Sequence, residues 1–131
     1  MKPVYQTIFG PPHGNCLQAA VASILELNLD EVPNFMAVES EGDWLDIYID
    51  FMARQGLQPL FLDIEQMGQV EPGWVPLGWH LMSGVSPRCA PYHHEIVCYR
   101  GEPIHDPYPG GGCELKTQEH WTVFISALGE K

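Results

Sequence analysis

The sequence predicts an α+β fold in which N-terminal helices pack on a C-terminal antiparallel sheet. Up to Gly56 apolar residues recur at helical spacing, whereas from Leu57 onward the chain consists of short extended runs separated by Gly, Pro and Asp. Helices that precede strands, instead of alternating with them, favour an α+β arrangement over a doubly wound parallel sheet. The length of 131 residues is typical of one domain, so we expect residues 1–131 to form a single domain.

The first predicted helix begins at Cys16. Asn15 can act as its N-cap, and the segment CLQAAVASILELNL carries apolar residues at helical spacing. A second helix is predicted from Asp43, which can cap it, to Gly56 at its end. The residues expected to face inward are Leu17, Ala20, Val21, Ile24 and Leu25 in the first helix, and Trp44, Ile47, Tyr48 and Phe51 in the second.

Extended runs make the second half a predicted sheet. They are LQPLFLD, WVPLGWHLMSG, HHEIVCYR and WTVFISAL. The HHEIVCYR and PIHDPYP segments flank Arg100, Gly101 and Glu102, a short connection with a glycine that suits a β-hairpin. Residues 68–78 and 107–112 are rich in Gly and Pro, and we expect them to form flexible walls of a cleft.

The charge of the chain excludes two classes of main partner. Seventeen acidic residues against six basic ones give a formal net charge of -11, and the basic residues are scattered singly. Such a surface repels phosphate backbones and anionic lipid, so neither nucleic acid nor a membrane is expected as the partner. The N-terminal segment lacks the apolar run of a secretory signal, and no stretch is long and apolar enough to span a bilayer, which favours a cytoplasmic protein.

Cys16 is the candidate nucleophile. A thiolate is stabilised at a helix start by the positive end of the helix dipole and by unpaired backbone N–H groups. The preceding Gly-Pro-Pro-His-Gly-Asn allows a sharp turn and close approach of a ligand, and an N–H near Cys16 can bind the oxyanion of an acyl-transfer reaction. Cys89, Cys98 and Cys113 lack a helix start, and we interpret them as structural or incidental free thiols.

A histidine and an acid downstream complete a candidate triad. His93 and His94 are neighbours in a predicted strand, so only one of them can point at the helix, and spacing does not choose between them. Asp106 follows the turn of the predicted hairpin and is the acid best placed to hold the second ring nitrogen of that histidine. His105 is expected to point away from Asp106.

These residues together resemble the papain-like cysteine peptidase superfamily. The matching features are Gln6, the cysteine of GNC at a helix start, His94 followed directly by Glu-Ile-Val, and Asp106-Pro107. The likeness is closest to the compact bacterial branch that includes the bacteriocin leader peptidase domains of ABC transporters. It spans Gln6 to about Pro109 and implies a papain-like fold.

The resemblance implies a role for each matched residue. Cys16 would be the nucleophile, His94 the general base and then acid, Asp106 the residue that orients His94, and Gln6 a donor to the oxyanion. Gln6 and Cys16 are further apart than in those domains because GPPHG lies between them, so Asn15 and Gln18 remain alternatives for the oxyanion.

The implied activity is that of a cysteine-dependent hydrolase, namely a peptidase, isopeptidase or amidase, or an acyl transferase. It would act on a peptide or protein substrate through a covalent thioester and needs no cofactor. The sequence does not identify the scissile bond or the oligomeric state.

Two other functions compete with the enzyme. His105, Asp106 and His120 are potential metal ligands, but no C-x-x-C or H-x-x-x-H spacing occurs, so no metal site is predicted. The second alternative is a catalytically inactive papain-like binding or adaptor protein. Its recognition surface would be formed by the four tryptophans, Trp44, Trp74, Trp79 and Trp121, although ordinary packing explains these residues better.

Overall fold

The computed structural model describes residues 1–37 and 43–126 and has an α+β architecture. The elements in chain order are α1 (Cys16–Leu25), a 3-10 turn (Leu29–Glu31), α2 (Asp43–Arg54), β1 (Leu57–Asp63), α3 (Ile64–Val70), β2 (Trp79–Val85), β3 (His93–Tyr99), β4 (Glu102–His105) and β5 (His120–Ser126). The predicted class, with two helices before the sheet, is therefore confirmed at this level. The short helix α3 was not predicted.

The five strands form one antiparallel sheet in the order β1-β5-β2-β3-β4. The predicted hairpin is β3–β4, in which Tyr99 pairs with Glu102. Arg100 and Gly101 between them have φ of 51° and 81°. Positive φ at both central residues is the requirement of a tight type I′ turn, so this connection directs the chain back toward the start of β3.

Helix α1 begins at Cys16 as predicted and is buried almost all round. The alanines of α1 are fully buried, and their small side chains let the helix approach β3 closely. Asn15 occupies the N-cap position as predicted, but its side chain makes no capping hydrogen bond. The side-chain oxygen Oδ1 of Asn15 instead accepts hydrogen bonds from the backbone N–H groups of Thr7 and Ile8, and these bonds fix the segment that leads to the helix.

Helix α2 ends as predicted, with Gly56 at a φ of 77° that favours glycine. Asp43 is its first residue, and the position before it lies outside the described residues. Tyr48, Phe51 and Met52 are buried against the rest of the helical core. The other two inward predictions for α2, Trp44 and Ile47, are only partly buried.

The two faces of the sheet carry separate hydrophobic clusters. Leu81 and Val97 face α1 and α2, whereas Met82, Ile96 and Trp121 belong to the cluster on the opposite face, near α3. This alternation along neighbouring strands follows the period of two of β structure.

Residues 68–78 do not line the cleft described below, and only Trp74 and residues 76–78 line a separate, smaller pocket of about 300 Å³. Their first residues belong to α3, where Asp63 accepts the Gln66 N–H as an N-cap. Trp74 then packs on Trp121 with ring centroids 5.6 Å apart, on the far face of the sheet. The apolar contacts of this segment therefore hold it on the face of the sheet opposite α1 and α2.

The four tryptophans do not share one surface. Trp74 and Trp121 pack together, Trp79 packs against Tyr99 with the rings tilted, and Trp44 lies beside Tyr48 in α2. All four cysteines are free thiols, as predicted, and Cys98 is fully buried. None of the described helices combines the length and the apolar character needed to cross a membrane.

Candidate active site

Cys16 lies at the edge of strand β3. Strand β4 pairs with β3 only from Val97 onward, so the preceding residues of β3 have no strand neighbour on that side. Helix α1 packs against β3, and the backbone N–H of Glu95 acts to lower the pKa of the Cys16 thiol, which places the sulfur close to the β3 backbone. Because successive side chains of a strand point to opposite faces, His94 and Glu95 leave β3 on opposite faces of the sheet.

His94 and Asp106 form a buried pair. The Nε2–H of His94 donates to Asp106 Oδ1 at 2.7 Å, and the two side chains are only 5% and 2% exposed. His93 is half exposed and contacts Glu119 at 3.1 Å instead. Asp106 therefore holds His94, which is the histidine that the family resemblance favoured. With Nε2 protonated by this contact, Nδ1 of a neutral His94 carries the free lone pair.

Two backbone groups complete the setting of Asp106. The N–H of Tyr108 donates to Oδ1 at 2.9 Å and the N–H of Cys113 donates to Oδ2 at 3.0 Å. Burial acts to raise the pKa of Asp106, but the hydrogen bonds from His94, Tyr108 and Cys113 outweigh it and hold this pKa below the usual value. The carboxylate is therefore ionised at neutral pH and fixed in position.

The loop after Asp106 depends on a glycine at residue 111. A Cβ atom at Gly111 would overlap with Oδ2 of Asp106 and press on the Tyr108 carbonyl oxygen. A Cβ at the next residue, Gly112, would meet only the Glu114 side chain, at 3.9 Å. The carboxylate thus occupies space that only a glycine at residue 111 leaves open.

A cleft of about 1560 Å³ brings the candidate residues together. It lies between α1, α2 and the sheet, and Gln6, Cys16 and His94 all contribute to its lining. From residues 107–112 only Tyr108 reaches it. Among the described contacts, no hydrogen bond joins the Cys16 sulfur to the ring of His94 or of His93. The three matched residues share one cavity, with the thiol and the imidazole not yet in direct contact.

The resting thiol of Cys16 is protonated. Burial raises its pKa to about 12 and the Glu95 carboxylate acts in the same direction, whereas backbone N–H groups of Glu95, Leu17 and Cys16 act against them. The backbone N–H groups at the helix start do lower the pKa of Cys16, as the sequence led us to expect, but burial raises this pKa by more. A base is needed to remove this proton.

The three amides considered for the oxyanion differ in what they already bind. Asn15 bonds Thr7, Ile8 and Gln18, and Gln18 in turn donates to the carbonyl oxygens of Leu29 and Val32. The side-chain amides of Asn15 and Gln18 are therefore already engaged in hydrogen bonds within the protein. Gln6 is buried, lines the cleft, and spends one Nε2–H on the Ile8 carbonyl, which leaves its second N–H for a ligand.

The residues of the metal alternative do not assemble. Nε2 of His105 lies 2.7 Å from the Val4 carbonyl oxygen, and Asp106 is engaged by His94. Nε2 of His120 lies 3.9 Å from Oδ2 of Asp63, its partner in the β1–β5 pairing. Within residues 1–37 and 43–126, no group of three or more His, Cys, Asp or Glu side chains is arranged to hold a metal ion.

Glu95 is the site residue that sequence reasoning missed. Its carboxyl lines the cleft beside Cys16, and burial raises its pKa to about 8. The signal was present, because the period of two in HHEIVCYR places Glu95 on the same face as Val97. An acidic residue on the core-facing side of a strand is rarely buried without a partner, so such a residue is a candidate for a functional site.

Comparisons of the chain with protein-family models, with curated proteins and with solved structures find no match.

Proposed function

We propose that the chain is a cysteine-dependent hydrolase of papain-like type that cleaves a peptide, isopeptide or other amide bond. The observation that carries the proposal is the buried 2.7 Å contact between His94 and Asp106, beside the cleft that also contains Cys16 at the start of a helix. A carboxylate that fixes the tautomer of a histidine next to a thiol is the arrangement that nucleophilic catalysis requires.

The proposed reaction starts with proton transfer. Nδ1 of His94 takes the proton of the Cys16 thiol as the sulfur attacks the substrate carbonyl carbon, and Asp106 stabilises the imidazolium. The tetrahedral intermediate collapses when His94 returns that proton to the leaving amine and the C–N bond breaks. This leaves a thioester between the acyl group and Cys16.

Water then completes the turnover. His94 takes a proton from water as its oxygen attacks the thioester carbonyl, and the returning proton releases the Cys16 thiol and the carboxylic acid. In both steps the oxyanion is bound by the free Nε2–H of Gln6 and by the backbone N–H of Cys16, which starts the helix and makes no intrahelical bond.

The protonated resting thiol is compatible with this sequence of steps. General-base catalysis needs a neutral imidazole and a thiol, not a preformed ion pair. The catalytic hydrogen bond can tighten only when substrate fills the cleft, as is common for unliganded enzymes. The Cys16 sulfur lies near the backbone N–H of Glu95, the neighbour of His94 in β3.

The test uses p-nitrophenyl acetate, an activated ester that requires no knowledge of the natural substrate. We expect turnover to fall at least about 10²-fold in Cys16→Ala and in His94→Ala. Cys89→Ala and His93→Ala are the matched controls, because both residues line the same cleft and neither belongs to the triad. Equal loss in His93→Ala and His94→Ala, or full activity in Cys16→Ala, would contradict the proposal.

One observation favours the second candidate, an inactive binding protein of the same fold. Within the described contacts the thiol does not touch His94, and its pKa of about 12 is that of an unreactive buried cysteine. On this alternative, p-nitrophenyl acetate would acylate Cys16 no faster than Cys89, and His94→Ala would change neither rate.

A further inference from the structure

We propose that Glu95 and the aromatic side chains of α2 and β1 form a recognition site for a cationic group, a primary ammonium or a guanidinium, next to the scissile bond. The position next to a scissile bond rests on the proposed function, whereas the cation site itself does not depend on catalysis.

The register of the sheet places Glu95 at the floor of the cleft. Glu95 pairs with Ser83 of β2, and Ser83 pairs with His120 of β5, so these three side chains share one face of the sheet. All three line the cleft. The face is the one that α1 and α2 cover, because Val97, two residues after Glu95, packs in their cluster.

Aromatic rings form the wall beside this carboxyl. Trp44 and Tyr48 of α2 stack with ring centroids 6.5 Å apart, and Phe61 of β1 lies 6.1 Å from Tyr48. All three line the cleft. Faces of Trp, Tyr and Phe attract ammonium and guanidinium groups, and more strongly where water is excluded.

The polar groups at this place lack partners. The Glu95 carboxyl makes no hydrogen bond or ion pair with any described residue, and the hydroxyl of Tyr48 is buried without a partner although Tyr48 is only 1% exposed. The one arginine of the cleft, Arg88, lies 3.7 Å over the ring of Tyr108. A half-buried carboxyl without a countercharge is destabilising, and desolvation accordingly raises the pKa of Glu95.

A cation fits these groups better than a neutral or anionic side chain. Its charge would restore the ionised form of Glu95, its nonpolar stem would lie along the aromatic wall, and the Tyr48 oxygen would accept a further hydrogen bond. The formal net charge of -11 adds a general attraction for cations. Since the Glu95 N–H reaches the Cys16 sulfur, the site lies beside the attacked carbonyl, so the substrate would carry a lysine-like or arginine-like side chain there.

The experiment measures binding to Cys16→Ala, which cannot turn the ligand over. Calorimetry compares Nα-acetyl-lysine methylamide with Nα-acetyl-norleucine methylamide, which has the same stem without the ammonium. We expect the lysine ligand to bind at least about tenfold more tightly. Adding Glu95→Gln should abolish the preference, whereas adding Glu65→Gln, the same change at an exposed acid of α3, should leave it intact.

Equal binding of the two ligands, absence of binding by both, or a preference that survives Glu95→Gln would overturn the cation site. If the double variant does not fold, the comparison of the two ligands on Cys16→Ala alone still tests the cation site. The binding measurement involves no turnover, so it fails independently of the enzyme proposal. A preference for the lysine ligand without ester hydrolysis by wild type would contradict the proposed enzyme and support the cation site. Ester hydrolysis without that preference would support the enzyme and contradict the cation site.

Discussion

Two carboxyl groups of the site carry opposite pKa shifts, and their neighbours explain the difference. Asp106 accepts three N–H groups, from His94, Tyr108 and Cys113, and its pKa is lowered although burial opposes this. Glu95 has no such donors, and burial raises its pKa to about 8. At the scale of single residues, hydrogen bonds keep the Asp106 carboxylate charged, whereas desolvation favours the neutral form of Glu95.

Glu95→Gln should therefore stabilise the protein at alkaline pH. The unfolded chain releases the Glu95 proton near pH 4.5 and the folded chain only near 8, so the free energy of unfolding falls as the pH rises between these values. Because the cleft keeps this side chain partly wet, we expect the variant to gain about 1–3 kcal/mol at pH 8 and nothing at pH 4.

Urea denaturation of wild type, Glu95→Gln and Glu65→Gln at both pH values measures this difference. Glu65→Gln controls for the loss of one acid on a strongly acidic chain. An equal effect of Glu95→Gln at the two pH values would show that the carboxyl is not buried in the way described.

Gln6 and Gln18 should separate catalysis from stability. Gln6 keeps one N–H free in the cleft, so Gln6→Ala should lower ester turnover by about 10–10³-fold. Gln18 holds the carbonyl oxygens of Leu29 and Val32, so Gln18→Ala should instead lower the free energy of unfolding by about 1–3 kcal/mol. Turnover assays and urea melts on both variants test the contrast, which fails if Gln6→Ala retains full turnover.

At the scale of elements, the loop after β4 positions Asp106. It supplies both backbone donors to Asp106 and has a glycine where the carboxylate passes. The hairpin turn at Arg100 and Gly101 brings this loop back to the start of β3, where His94 lies. The geometry of the pair is thus a property of the hairpin and its following loop.

Gly111→Ala tests that loop. Its Cβ would displace the Asp106 carboxylate, so we expect ester turnover to fall about 10-fold or more and to approach that of Asp106→Asn. Gly112→Ala is the matched control, since its Cβ meets only a flexible side chain. Similar kinetics for the two alanine variants would mean that the loop does not position Asp106.

The elements differ in how far the sequence predicted them. The start of α1 and the β3–β4 hairpin have strong local signals, a helical apolar pattern after Asn15 and a glycine turn, and both are confirmed. Helix α3 was missed because Gly68 lies inside it, although Asp63 and Gln66 give a capping pattern.

The candidate site was predictable only in part. A local pattern names Cys16, a histidine and Asp106, but the choice of His94 over His93 depends on which side of β3 the returning loop covers. The raised pKa of Cys16 depends on how closely the helix packs on the strand. Both are tertiary effects that spacing does not encode.

At the scale of the whole molecule, the cleft lies where the helical layer meets the sheet, on a strongly acidic chain. The acidic charge of the chain predicts that ligand binding at the proposed cation site depends on salt concentration. Raising sodium chloride from about 10 to 500 mM should weaken binding of the lysine ligand to Cys16→Ala several-fold and leave the norleucine ligand nearly unchanged. Calorimetry at the two salt concentrations measures this, and an equal salt dependence for both ligands would contradict an electrostatic origin.

The central claim is that Cys16, activated by His94, forms a covalent acyl intermediate. The most direct measurement is acid quenching of the protein during reaction with p-nitrophenyl acetate, followed by mass spectrometric mapping of the acetyl group. The account predicts a thioester on Cys16 that forms in wild type and in His93→Ala, and that is nearly absent in His94→Ala. Acetyl groups distributed over several cysteines, or an acetyl-Cys16 that forms equally fast in His94→Ala, would contradict it.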